Sequence, residues 1–255
     1  MNDCLTKPWP RVRVSLFIPC LTDQLFPASG MNMLRVLERV GVRVHYDARQ
    51  TCCGQPAFNS GYHAEAAAMA MRFLDIFDGD DAEYIVAPSG SCASMVTVFY
   101  GDLGTLPATY REKAQRVRAR VREFSSFLVD VLGVTDVGAE LHARVTVHDS
   151  CHALRELHIK RQPRALLAQV RGLELVEMDK AEVCCGFGGT FAVKHENLSA
   201  AMAEEKADSI ERSGAEVVTG VDSSCLMNID GVLRRRGSAV RTMHLADILA
   251  SGSGT

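Results

Sequence analysis

The 255-residue chain lacks most of the features that announce a chemistry directly. No apolar run approaches the roughly 20 residues that cross a bilayer, so direct membrane insertion is not expected. Charge of one sign is also missing: 28 Lys and Arg against 31 Asp and Glu leave a formal net charge of −3. That balance offers no electrostatic footprint to nucleic acid or to an anionic membrane. Basic residues run together only at Arg234, Arg235 and Arg236, which read as a solvated helix end. There is no G-x-G-x-x-G after a strand, no phosphate-binding P-loop and no serine elbow, so no recognisable flavin or nicotinamide site. The ferredoxin run C-x₂-C-x₂-C-x₃-C-P is absent as well. The segment RVRVSLFIPCL, from Arg11, imitates a signal peptide but has no small-residue cleavage site, and a first buried strand is expected there.

Cysteine, by contrast, is abundant. Nine cysteines in a chain that is 47% hydrophobic and 23% charged belong to a globular protein, and their spacing is not that of a secreted disulfide scaffold. Metal or redox chemistry in a reducing cytoplasm follows. Cys52 and Cys53 are adjacent and precede Gly54; Cys184 and Cys185 repeat the arrangement before Gly186. A vicinal pair makes a strained disulfide and closes no loop whose entropy could be removed.

Eight of the cysteines form two rows: Cys20, Cys52, Cys53 and Cys92, then Cys151, Cys184, Cys185 and Cys225. Corresponding members are separated by 131, 132, 132 and 133 positions, which marks a duplicated unit. Cys4 stands outside the pattern and is given no role. Neighbouring segments agree: VSLFIPC matches VTVHDSC, YIVAPSGSCASM matches VVTGVDSSCLMN, and SSFLVDVLG matches TMHLADILA. The last pair, Asp130 with Asp247, is offset by 117, which places about sixteen extra residues in the first half, between Tyr100 and Arg120.

Each half reads as strand, cysteine, helix, strand, cysteine doublet, helix, strand, cysteine. Three strands alternating with helices predict parallel β-α units. The expected fold is α/β: two tandem, pseudo-symmetric, Rossmann-like three-layer units with parallel sheets, over residues 12–140 and 141–250. Ligands in such sheets gather at the carboxyl ends of strands, where all four cysteines of each half fall.

Four converging thiolates suit an iron–sulfur cluster or a tetrahedral zinc. The adjacent pair fits zinc-knuckle geometry poorly and fits thiolates on two irons of a cluster better. Gly54 and Gly186, with Gly188 and Gly189, either bring backbone N–H groups to a cluster's sulfides or simply make a tight turn.

The doubled pattern C-x₃₁-CCG-Q-P…S-x-x-C and C-x₃₂-CCG-F-G-G…D-x-x-C resembles the cysteine-rich CCG domain proteins. These include the CCG-containing chain of heterodisulfide reductase and the iron–sulfur subunit of glycolate oxidase. Across Val14 to Leu249 it is most similar to the lactate utilisation protein A family. The resemblance implies a cytoplasmic iron–sulfur protein acting with companion lactate-utilisation proteins, a ferredoxin-like iron–sulfur subunit and a third subunit, in oxidising L-lactate to pyruvate. It implies Cys20, Cys52, Cys53 and Cys92 as one ligand set, and Cys151, Cys184, Cys185 and Cys225 as the other. Two [4Fe–4S] clusters are expected. Heterodisulfide reductase has C-x-x-C where this chain has Ser89-x-x-Cys92 and Asp222-x-x-Cys225. Ser89 and Asp222 are therefore oxygen ligands, acceptors beside a cluster, or turn caps.

His148 and His152 flank the second ligand loop and are read as satisfied polar residues at a strand end; His195 and His244 are read the same way. Lys194 either offsets cluster charge or is solvated. Two other function classes stand beside electron transfer: a zinc-stabilised scaffold, and a thiol–disulfide or heterodisulfide-type reductase using the doublets directly.

Overall fold

The computed structural model describes residues 12–252; Cys4 lies outside them. The first half contains β1 (Arg13–Leu16), α1 (Cys20–Leu25), α2 (Pro27–Arg39), β2 (Arg43–Tyr46), α3 (Gln55–Asn59), α4 (His63–Phe77), β3 (Tyr84–Ala87), α5 (Gly90–Thr97), α6 (Ala108–Arg120), β4 (Val121–Glu123) and α7 (Phe124–Ser126), which continues as a π turn over Phe127–Val131. The second contains β5 (Glu140–Val147), α8 (Cys151–Arg155), α9 (Arg161–Leu167), β6 (Arg171–Leu175), α10 (Phe191–Lys194), α11 (Glu196–Arg212), β7 (Val217–Gly220), α12 (Ser223–Arg235), β8 (Arg241–His244) and α13 (Leu245–Ala250).

The sheets run β2-β1-β3-β4 and β6-β5-β7-β8, and every pairing is parallel. Central strands covered on both faces read as continuous apolar or β-branched runs, as in YIVA of β3 and VVTG of β7. Each sheet carries a fourth strand beyond the three expected from the sequence. Both are short edge strands, VRE and RTMH, with no apolar run to announce them.

Strand registers revise one equivalence. Ile85 pairs with Val121 in β4, and its counterpart Val218 pairs with Thr242 in β8, so the fourth strands are offset by 121 positions rather than 117. The first half therefore holds twelve extra residues between its third and fourth strands, not sixteen. They let it cross over through α5 and α6, where the second half uses α12 alone. Asp130 and Asp247 nevertheless do the same work, one helical turn apart.

That work holds the halves together, because the last helix of each packs on the other. α13 lies on α2, where Asp247 accepts from Ser29 Oγ and Asn32 Nδ2, both at 2.9 Å. α7 and its π turn lie on α9, where Asp130 accepts from Arg161 at 2.9 Å and Gln162 at 2.7 Å. Met33, Val36 and Leu37 of α2, Phe124 and Leu128, Leu166 and Leu167 of α9, and Leu245, Ile248 and Leu249 of α13 share one buried core. Separate outer cores lie under α4 to α6 and under α11 and α12. Among the described residues no helix is long and apolar enough to cross a membrane.

Candidate metal centre

Each cysteine occupies a strand-to-helix junction. Cys20 and Cys151 open α1 and α8 after β1 and β5; Cys92 and Cys225 lie in the first turns of α5 and α12 after β3 and β7; the doublets follow β2 and β6. These are the carboxyl ends of the strands, and the two sheets turn them toward each other. All eight thiols line a single cleft. The halves also touch at Ser60, whose Oγ lies 2.5 Å from Thr190 Oγ1.

The doublet turns are built alike. Gly54 and Gly186 take φ of 87° and 86°, the left-handed region that only glycine enters without strain. The space beside them is also closed. A Cβ on Gly186 would lie 2.6 Å from the carbonyl oxygen of Ser199, and one on Gly54 would lie 3.2 Å from that of Ala66. In this pose the glycine N–H reaches back to the first cysteine of the doublet, 3.4 Å from Cys52 Sγ and 3.4 Å from Cys184 Sγ. The N–H groups are thus aimed at a thiolate.

The thiols of a set share protons. Cys52 is held down to about 3, first by the Cys20 thiol turned to it, then by Cys53 and, more weakly, the Gly54 N–H. Cys184 is held down to about 2 by Cys151, Cys185 and the Gly186 N–H in the same way. The partners Cys20 and Cys151, which donate to those thiolates, are pushed up, and burial raises them further. Cys225 falls to about 6, with Cys185 as the main cause and His148 acting in the same direction against burial. In each set the neighbouring thiols and the glycine N–H favour the anion of the first doublet cysteine.

Behind the thiols the halves differ. The Tyr100 hydroxyl donates to the Cys53 carbonyl at 3.0 Å, while Asn228 Nδ2 donates to the Cys185 carbonyl at 2.8 Å. Lys206, on the buried face of α11, donates through Nζ to the carbonyls of Lys180 and Ala181. Burial pulls its pKa down, while the nearby thiols of Cys184, Cys185 and Cys225 and the Asp149 carboxylate pull it up. This buried lysine was missed in the sequence, although its place in line with Ala203, Ala207 and Ile210 is its visible sign.

Ser89 and Asp222 meet each other. Ser89 caps α5, accepting from the Cys92 N–H at 3.2 Å, and donates to Asp222 Oδ1 at 2.6 Å. Asp222 also accepts from the Ser91 N–H at 3.1 Å, from Ser91 Oγ at 2.8 Å and from Ser150 Oγ. Both carboxylate oxygens are thereby occupied by hydrogen-bond donors.

Gly188 and Gly189 line the cleft, and His152 does so with Nδ1 3.5 Å from Cys151 Sγ. Lys194 is exposed on the far side of α10, its Nζ 5.5 Å from the Tyr62 ring, and His195 is exposed beside Phe191. His244 is a satisfied polar residue: Nε2 lies 3.0 Å from the Pro88 carbonyl and Nδ1 accepts from Ala246 N–H. His148 is not. It is buried at the end of β5, yet neither ring nitrogen has a hydrogen-bond partner among the described residues. A ring nitrogen, Cys185 Sγ and Cys225 Sγ lie within 4.8 Å of one another.

Eight soft thiol donors in two sets of four, each with a backbone donor beside its first doublet cysteine, fit a soft metal ion or an iron–sulfur cluster. The cysteine-rich domain family, CCG, matches the chain twice, over residues 14–97 and 145–230. The chain is 47% identical to "Lactate utilization protein A" of Exiguobacterium over 94% of its own length and 97% of the relative's. It is 45% identical to "Lactate utilization protein A 1" of Bacillus mycoides, over 93% and 96% of the two chains. For "Lactate utilization protein A" of Geobacillus kaustophilus the identity is 45%, over 93% and 98%. Among solved structures, a putative Asp/Glu racemase from Yersinia pestis aligns with 94% of this chain and 96% of its own at 11% identity and a TM-score of 0.39, too slight to bear on activity.

Proposed function

The chain belongs to the lactate utilization protein A family of cysteine-rich domain proteins, and from that membership we propose that it is an iron–sulfur electron-transfer subunit of an L-lactate oxidising system. The observation that carries the reading is the gathering of two complete four-cysteine sets in one cleft.

Cys20, Cys52, Cys53 and Cys92 would hold one [4Fe–4S] cluster, and Cys151, Cys184, Cys185 and Cys225 the other. Such clusters supply one-electron transfer with no hydride or proton of their own. The protein's part is to present thiolates, to place the Gly54 and Gly186 N–H groups against the first doublet sulfur, and to bury Cys53, Cys185 and Cys225 away from water. Hydrogen bonds to sulfur and exclusion of water set a cluster's potential.

Lactate itself would be oxidised to pyruvate on a companion lactate-utilisation protein. A ferredoxin-like iron–sulfur subunit and a third subunit complete the assembly in this reading, and the site of action is the cytoplasm. Ser89 and Asp222 serve the join between halves and not the metal, and the repeats are residues 12–140 and 141–250.

The test is anaerobic mixing of the iron-loaded chain with its companion proteins and L-lactate, followed by electron paramagnetic resonance. A reduced-cluster signal that needs both lactate and the companions is expected. Persistence of the oxidised spectrum, with pyruvate formed at an undiminished rate in the chain's absence, would overturn the proposal.

A further inference from the structure

The two cysteine sets occupy equivalent places on equivalent sheets, so a difference in their surroundings is a difference in what they can do. Three positions before Cys20 the first half has Phe17; three before Cys151 the second has His148. Phe17 closes an aromatic cluster, its ring centroid 4.8 Å from that of Phe73 and 5.9 Å from that of Phe77. Gly54 abuts Met69 and Gly186 abuts Met202, so α4 and α11 correspond at an offset of 133 and Lys206 stands where Phe73 does. An apolar wall behind one set thus becomes a histidine and a lysine behind the other.

His148 is 1% exposed, and both its ring nitrogens lack a partner among the described residues. Leaving a buried polar group unpaired is costly, so such groups call for an explanation. Phenylalanine at the same place in the first half shows that the fold does not require a polar ring there. A ring nitrogen of the imidazole and the sulfurs of Cys185 and Cys225 lie within 4.8 Å of one another.

We propose that His148 donates an N–H···S hydrogen bond to the second centre, at Cys225 or Cys185, and that this makes the second centre the higher in potential of the two. The inference rests on the iron–sulfur reading above. Donation needs no special protonation state, since neutral imidazole keeps one N–H and imidazolium has two. A donor to sulfur stabilises the more negative, reduced state. Phe17 and Phe73 offer the first centre no such donor. With both centres loaded, a single electron would rest on the second, the first being left oxidised, with no proton moved.

The experiment is a redox titration of the anaerobically iron-loaded full chain, read by visible absorbance and electron paramagnetic resonance. Two midpoints are expected in the wild type, and Cys53→Ala, which removes the first, assigns the higher to the second centre. His148→Phe copies the side chain the first half carries; with iron retained it should lower the higher midpoint and leave the other unchanged. Chain labelled with ¹⁵N-histidine and carrying His152→Leu, which removes the imidazole beside Cys151, should show a weak nitrogen coupling on the reduced second centre. Unmoved midpoints in an iron-replete His148→Phe, or a higher midpoint assigned to the first centre, overturn the proposal. If His148→Phe loses its iron, the coupling in the His152→Leu chain decides: its presence supports the contact and its absence overturns it. A chain that takes up no iron at all overturns the iron–sulfur reading itself, an outcome distinct from the others.

Discussion

Ser89 in the first half and Asp222 in the second are the same position of the repeat, 133 residues apart, and they are hydrogen-bonded to each other at 2.6 Å. Equivalent residues can touch only where the pseudo-twofold axis passes. Gly90 confirms how close the halves come there, since a Cβ on it would lie 2.5 Å from Cβ of Ala153. The two departures from a C-x-x-C pattern thus form a polar bolt between halves.

Asp222→Asn replaces a charged acceptor of the Ser89, Ser91 and Ser150 donors with an amide whose NH₂ faces donors. A loss of about 1–3 kcal/mol in unfolding free energy is expected, measured by denaturant titration. Iron content should stay at the wild-type level. Loss of the second centre in a chain of unchanged stability would instead make Asp222 a ligand.

Gly186→Ala and Gly54→Ala impose the same left-handed backbone penalty on alanine, about 1–2 kcal/mol. They differ in space, 2.6 Å from a backbone oxygen against 3.2 Å. Gly186→Ala should therefore be the more damaging, with the second doublet displaced and its iron lost first. Thermal unfolding and iron analysis of the pair check the order; equal effects would mean that the turn's φ matters and its packing does not.

Glu123, buried at the cap of α7, accepts from the Ser125 and Ser126 N–H groups and from Ser125 Oγ, while Oε1 has no partner among the described residues. Burial, with Asp222 adding repulsion, pushes it from 4.5 up to about 7 against those hydrogen bonds. Between these values the folded chain keeps a proton that the unfolded chain releases, so Glu123 lowers stability as pH rises through that window and adds no slope above it. Relative to wild type, Glu123→Gln should gain on the order of 3 kcal/mol between pH 4.5 and 7, read from paired denaturant titrations. A gain that does not change with pH would mean that the carboxyl titrates as an exposed one.

Much of this was legible in the chain because it is written locally. Eight cysteines at a constant offset, each doublet followed by glycine, declare the repeat, and β-branched runs before each cysteine declare parallel strands with the thiols at their carboxyl ends. VRE and RTMH were not legible as strands, since three or four residues at a sheet edge need only a neighbour to pair with. Asp130 and Asp247 looked equivalent because they do equivalent work, although the register shifts one by a turn. Ser89 with Asp222, and His148 with Cys185 and Cys225, meet only through the fold, and no spacing rule signals such a meeting. Reading His148 as a satisfied strand-end histidine followed the common case, and here its nitrogens are unpaired.

The most direct measurement is iron, acid-labile sulfide and zinc per chain, with a visible spectrum, on protein purified without oxygen. About eight irons and about eight sulfides with a broad sulfur-to-iron band are expected, falling by close to half in Cys53→Ala. A colourless chain that carries zinc, or that takes up no metal on anaerobic reconstitution, would contradict two iron–sulfur centres in the cleft.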